Sequence, residues 1–147
     1  METRDDAALL AARVLMSALF IADGLAKFPG YEGSLAYFHG KGFPLLPYTV
    51  WLAILIEVGG GVALLVGFQT RIAAATLALF CAVAAMAGHA FWNLPPGGAR
   101  IGDLYHFAKD FGLAGGFVGL AVAGPGRLSV DAWRTPHVPV HRASPVG

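Results

Sequence analysis

The ionisable side chains Asp23, Lys27, Glu57, His89, His106, Lys109 and Asp110 stand in stretches that are otherwise apolar. Glu57 is the sharpest case. It falls near the middle of the run Tyr48 to Phe68, which has almost no other polar side chain and about the length of ~20 residues that a helix needs to cross a bilayer core. A carboxylate at that depth costs at least about 2.5 kcal/mol, so it has to be protonated, paired or turned to a polar interior. Asp23 and Lys27 lie four residues apart, on one helical face, where they can pair. His106, Lys109 and Asp110 follow at i, i+3 and i+4, and Asp103 adds a further turn to their stripe. Carboxylates, ammoniums and imidazoles gathered this way can hold protons or bind a small polar ligand. They can equally neutralise one another and fix helix register, with Asp23–Lys27 as a salt bridge at a helix end.

Other chemistries fit less well. His106 and Asp110 have an i, i+4 ligand spacing that His89 or Asp103 could complete, but Lys109 on the same face repels a cation, and no His-Glu-x-x-His pattern is present. No metal is expected. Cys81 is the single cysteine, which removes intrachain disulfides and Cys-x-x-Cys redox exchange; it reads as a small apolar core residue. The glycine clusters follow no strand, so they are packing features and not nucleotide cradles.

The elements that must position these groups are membrane helices. The chain has 147 residues, one domain's worth, of which 56% are hydrophobic and only 13% charged, with mean hydropathy +0.64. That is too little charge to cover a soluble surface. A net charge of +1 gives no case for nucleic acid as a partner. Four spans are expected: Leu9 to Phe28, Tyr48 to Phe68, Ile72 to Trp92 and Leu104 to Ala123. The first spans only if Arg13 and Lys27 snorkel to opposite interfaces. Its N-terminal flank, mixed in charge and without a cleavage site, reads as a retained anchor and not a cleaved signal. The fold class is therefore all-α, an integral membrane antiparallel bundle of four transmembrane helices. Residues 1–8 form an N-terminal cytoplasmic segment, 9–131 the membrane domain, and 132–147 a disordered tail. The loop Gly30 to Pro47 is expected to fold on the surface or re-enter, Phe68 to Arg71 to turn tightly, and Asn93 to Asp103 to be a Pro/Gly-rich loop.

Basic residues set the orientation. Arg4, Arg13, Arg71, Arg127, Arg134 and Arg142 fall on one side, against Lys27, Lys41, Arg100 and Lys109 on the other, which favours both termini in the cytoplasm. Asp23, Lys27, His89, His106, Lys109 and Asp110 then gather toward the outer half of the membrane, with Glu57 below them and Arg13 and Arg71 at the cytoplasmic side. Whether Lys109 pairs near Asp110 or reaches Glu57 is open at this point. Small residues at Ala18/Ala22/Ala26, Gly59/Ala63/Gly67, Gly112/Gly116 and Gly115/Gly119 offer close-packing faces, for the bundle itself or for a homo-oligomer.

The order Arg13…Leu19-Phe20-Ile-Ala-Asp-Gly24-Leu-Ala-Lys27, Phe38-His-Gly-Lys-Gly42-Phe-Pro44, Ile56-Glu57-Val-Gly-Gly60, Leu64-Leu-Val-Gly67-Phe-Gln-Thr-Arg71, Lys109-Asp-Phe-Gly-Leu-Ala-Gly-Gly116 and Gly124-Pro-Gly-Arg127-Leu-Ser129-Val-Asp131 resembles the DoxX family over residues 10 to 131. The resemblance implies a small four-helix protein of a bacterial cytoplasmic (inner) membrane. It also implies redox roles, as subunits of thiosulfate:quinone oxidoreduction or as membrane partners of superoxide- and thiol-handling enzymes. Family members often carry Asn where this chain has Asp110, which adds a negative charge beside Lys109. Two functions follow. One is an accessory subunit of a membrane redox system, with Glu57, His89 and His106 handling protons; lacking an electron carrier of its own, it would need a bound quinone or a redox protein partner. The other is a non-enzymatic scaffold or small-solute carrier using the same cavity.

Overall fold

The computed structural model describes residues 3–44 and 47–134, and every regular element among them is helical. The first helix, α1, runs over Thr3–Ala26, with Asp5 and Asp6 in its first turn, where the positive end of the helix dipole favours them. A short helix α2, Tyr31–Gly40, follows. The next long segment is α3, Tyr48–Ile54, a π-helical turn at Leu55–Gly59, and α4, Gly60–Val66. Gly67, at φ 71°, ends α4 in a left-handed conformation that glycine adopts without strain. Then α5, Thr70–Val83, passes into a second π turn at Ala84–Gly88 and a 3₁₀ turn at Phe91–Asn93. α6 spans Gly98–Ala123, and α7 spans Val130–Arg134.

Among the described residues, three stretches are long and apolar enough to cross a membrane: Asp5–Ala26, Tyr48–Val66 and Thr70–Asn93. α6, at 26 residues, rises about 39 Å and has the length. Its first half, however, carries Arg100, Asp103, Lys109 and Asp110, which keep it out of that set. It starts at Gly98 and not at Leu104, because no proline follows Pro96 to stop it, and the expected loop Asn93 to Asp103 shrinks accordingly. The expected surface or re-entrant loop Gly30 to Pro47 contains α2. Of the expected tail, Ala132 to Arg134 belong to α7, and residues 135–147 lie outside the described residues.

The core joins Phe20, Leu64, Leu77, Cys81, Phe117 and Leu120, with the Phe20 ring edge-on to Phe117 at 5.2 Å. Many large apolar side chains face outward, Leu15 (73% exposed) and Val122 (72%) among them, as a lipid-facing surface requires. The small-residue faces pack inside the bundle only in part: Gly67 is buried against Arg13 and Ser129, and Gly116 meets Met16. Ala18, Ala22 and Ala26 are exposed, as are Gly59 and Gly112, Gly115, Gly116 and Gly119. α1 instead buries Arg13, Ser17, Phe20 and Gly24. Ala18 lies about 100° around the helix from Ser17, so one rotation cannot bury both faces. Gly24, Gly61 and Gly67 are close approaches: a Cβ on Gly24 would stand 2.7 Å from Val58 Cγ2, one on Gly61 2.8 Å from Ile21 Cγ1, and one on Gly67 would strike the Arg13 guanidinium and stand 2.5 Å from Ser129 Cβ.

The rotation of α1 is fixed at the end away from Lys27. Arg13, 1% exposed, donates to the carbonyl of Pro125 at 3.0 Å and to that of Leu128. Arg71 donates to the carbonyls of Ala121 and Val122, both at 3.0 Å, and so satisfies the last turn of α6. These contacts bring the start of α5 to the end of α6. Asp131 caps α5 from outside its own helix: its carboxylate accepts from the backbone of Gln69 and Thr70, both at 2.8 Å, and from Thr70 Oγ1 at 2.9 Å. Burial opposes ionisation of Asp131, but those hydrogen bonds outweigh it and hold its pKa below the usual carboxylate value.

Two outcomes are expected. Gly24→Val should push α1 from the Glu57 turn and lower stability by about 1–3 kcal/mol, read as the unfolding midpoint in detergent. Asp131→Ala should lose about 1–2 kcal/mol at neutral pH. Because the folded pKa is depressed, this stabilisation is present above the unfolded value near ~3.9 and fades as pH falls through the folded one. The gap between wild type and variant should therefore close in acid; a gap unchanged by acid would rule out the ionised cap.

Candidate functional site

The ionisable groups singled out from sequence meet around one cavity of about 700 Å³. Asp23, Lys27, Glu57, His89, His106, Lys109 and Asp110 all line it. The last turn of α1 brings Asp23, the turn just after it Lys27, the first π turn Glu57, the residue capping the second π turn His89, and α6 the rest. A π turn adds a residue to the helical turn and often marks a functional position. Here one π turn contains Glu57 and the other ends at Gly88, just before His89. Arg13 and Arg71 lie outside the cavity, in the carbonyl-binding roles described above.

Lys27 is the hub. Its Nζ is 2.7 Å from Asp23 Oδ2, 2.9 Å from Glu57 Oε1 and 2.8 Å from Glu57 Oε2. The ammonium sits astride the Glu57 carboxylate, whose side chain is 4% exposed. The cation for Glu57 is thus Lys27 and not Lys109, which stands 3.4 Å from its neighbour Asp110. On the opposite wall, His89 Nδ1 is 3.3 Å from Asp103 Oδ1, and Nε2 is 3.8 Å from Asp110 Oδ2. The His106 ring stacks on His89 at 4.8 Å between centroids. Asp103 also pairs with Lys41 at 3.0 Å. Among the described residues, no three His, Cys, Asp or Glu side chains converge to hold a metal ion.

Three lining carboxylates, Asp23, Glu57 and Asp110, accompany two lining ammoniums, Lys27 and Lys109. Asp23 (64% exposed) and Lys109 (54%) reach solvent, so the buried ion pair of the cavity is Lys27 with Glu57. Phe20, Phe38, Phe43, Phe80 and Leu113 line the same cavity. Such a site can hold a flat apolar body with polar ends.

Sequence reasoning missed Ser34, Tyr37, Phe38 and Phe43, which close the cavity from the α2 side. The signal was there: Tyr31 to Gly40 contains no proline and is bracketed by Pro29-Gly30 and Gly40-Lys-Gly42. It was masked by the Gly and Pro density of the whole loop.

Fold and cavity together define a helical membrane protein with a charged, aromatic-walled chamber inside its helices. The DoxX family model matches residues 8–90. The chain is 40% identical over 133 residues to the inner membrane protein YqjF of Escherichia coli, covering 89% of this chain and 95% of the relative. It is 32% identical over 124 residues to the inner membrane protein YphA of the same organism, covering 84% and 87%. A shorter match, 36% over 70 residues, links 48% of the chain to 51% of "Putative oxidoreductase CatD" of Bacillus subtilis. No solved structure matches. The chain belongs to the DoxX family.

Lys27→Met should leave Glu57 buried without its cation and cost about 3–5 kcal/mol. The double variant Lys27→Met/Glu57→Gln should recover most of the loss. Thermal midpoints in detergent check this; no recovery in the double variant would mean that the pair is not what holds this end of α1.

Proposed function

We propose that this chain is an accessory subunit of a membrane redox system, multi-pass in a bacterial inner membrane. In this reading α6 is the fourth span of an antiparallel bundle, since its polar stripe turns into the cavity, and both termini are cytoplasmic. The observation that carries the redox reading is the buried Lys27–Glu57 pair and the stacked His89 and His106 lining one cavity with aromatic side chains. Groups able to hold protons around an apolar-walled chamber suit chemistry in which protons follow electrons. The similarity to the putative oxidoreductase CatD and the family resemblance support the same reading. The chain has one cysteine and no electron carrier of its own, so electrons come from a bound quinone or a partner protein.

The residues fit a quinone. Phe20, Phe38, Phe43 and Phe80 offer faces for a ring, and Lys27 and His106 offer donors for carbonyl oxygens. A bound quinone would supply two-electron, two-proton chemistry. Glu57, His89 and His106 would hold or move protons, while the aromatic walls exclude water. The exposed glycine face of α6 supports association with a second copy or a redox protein partner. A non-enzymatic scaffold or small-solute carrier is the second reading, favoured by the lack of a cysteine pair.

Lipid extracts of the detergent-purified wild type should contain quinone, and those of Glu57→Gln should have lost most of it at equal expression. Mass analysis of the extracts decides this. Neither protein carrying quinone would sink the quinone assignment, and turnover of quinone by the purified chain alone would sink the scaffold reading.

A further inference from the structure

α2 forms a wall of the cavity yet buries none of its own ten residues. Gly33, Ser34, Tyr37 and Phe38 face the chamber. Glycines flank both of its ends. Pro29 and Gly30 precede it, and Gly40-Lys41-Gly42 follows, with Gly42 at φ 76°, a left-handed conformation that a side chain would strain. Aromatic contacts hold its base: the Tyr31 ring lies 5.6 Å from Trp51.

Two polar links tie its far half to the opposite wall. Tyr37 Oη donates to the carbonyl of Gly88 at 3.2 Å, and Lys41 Nζ pairs with Asp103 at 3.0 Å. The Gly88 carbonyl belongs to the last turn of the second π segment, where carbonyls have no partner within the helix. Asp103 is the same carboxylate that holds His89 Nδ1, and His89 Nε2 points toward Asp110 inside the cavity. A ligand that engages His89 therefore acts on the group that fastens α2.

We infer that α2 is a hinged flap over the cavity, latched by Tyr37 to Gly88 and by Lys41 to Asp103, and that its opening is how a ligand enters. The inference rests on reading the cavity as a ligand site, but its test needs no ligand.

Cys81 supplies the reporter. It is the one cysteine of the chain, it lines the cavity, and it is 2% exposed. Full-length protein in lipid nanodiscs is treated with a permanently charged thiosulfonate reagent, and modification of Cys81 is followed by mass. Wild type should react slowly. Tyr37→Phe/Lys41→Gln, which removes both latches, should react roughly tenfold faster, as expected when one hydrogen bond and one ion pair stop opposing a local opening. Asp131→Asn, which loosens the opposite end of the helices, should react at the wild-type rate. Equal rates in wild type and the latch variant would overturn the flap. So would an equal acceleration in Asp131→Asn, because that would be general loosening. Faster labelling of the latch variant with no quinone in any extract would leave the flap standing and remove only the ligand assignment.

Discussion

One constraint organises this protein: a carboxylate in the middle of an apolar helix must be given a cation. Glu57 receives Lys27, and Lys27 is shared with Asp23. The pairing draws the last turns of α1 against the first π turn, and the contact is close enough that Gly24 has no room for a Cβ. In a medium without water the alternative to this pairing is an uncompensated charge, which is far more costly than the conformational freedom lost in making the pair. The cavity exists because the ammonium and its two carboxylates need space that apolar packing would otherwise fill.

The other end solves a different problem. There the polar partners are backbone carbonyls and amides at helix ends. Arg13 and Arg71 reach the carbonyls around the end of α6, and Asp131 reaches the amides at the start of α5. These are charge-assisted bonds to groups that helix geometry leaves unsatisfied. They lock rotation and register, and the cavity end carries the charged groups and a thinly held α2. A rigid end and a looser, chemically loaded end are what a binding chamber within a helical bundle requires.

The two π turns connect these halves. Each changes which side chains face inward after it: Glu57 lies within the first, and His89 follows the second. Without them, the regular helical phase set near the locked end would carry through to the cavity end and rotate both groups away from their present positions. That places the irregular backbone where the chamber needs its polar groups.

The sequence by itself determined that the chain is helical and apolar enough for a membrane, its family, and which ionisable residues stand in apolar stretches. Apolar runs broken by Gly and Pro mark helices because backbone polar groups in lipid must bond internally. An ionisable residue inside such a run declares a polar interior, so Asp23, Lys27, Glu57, His89, His106, Lys109 and Asp110 were all legible. Only the tertiary structure decided the pairings. Lys27 and Glu57 are thirty positions apart, and nothing in spacing prefers Lys27 over Lys109 as the cation. The same holds for the inward faces: alanine and glycine stripes advertise close packing, but the burial of Arg13 and Ser17 sets the rotation of α1 and turns Ala18, Ala22 and Ala26 outward. Helix content is local and can be read along the chain. Rotation, pairing and the shape of a cavity depend on several helices meeting at once, and no single stretch of sequence contains them.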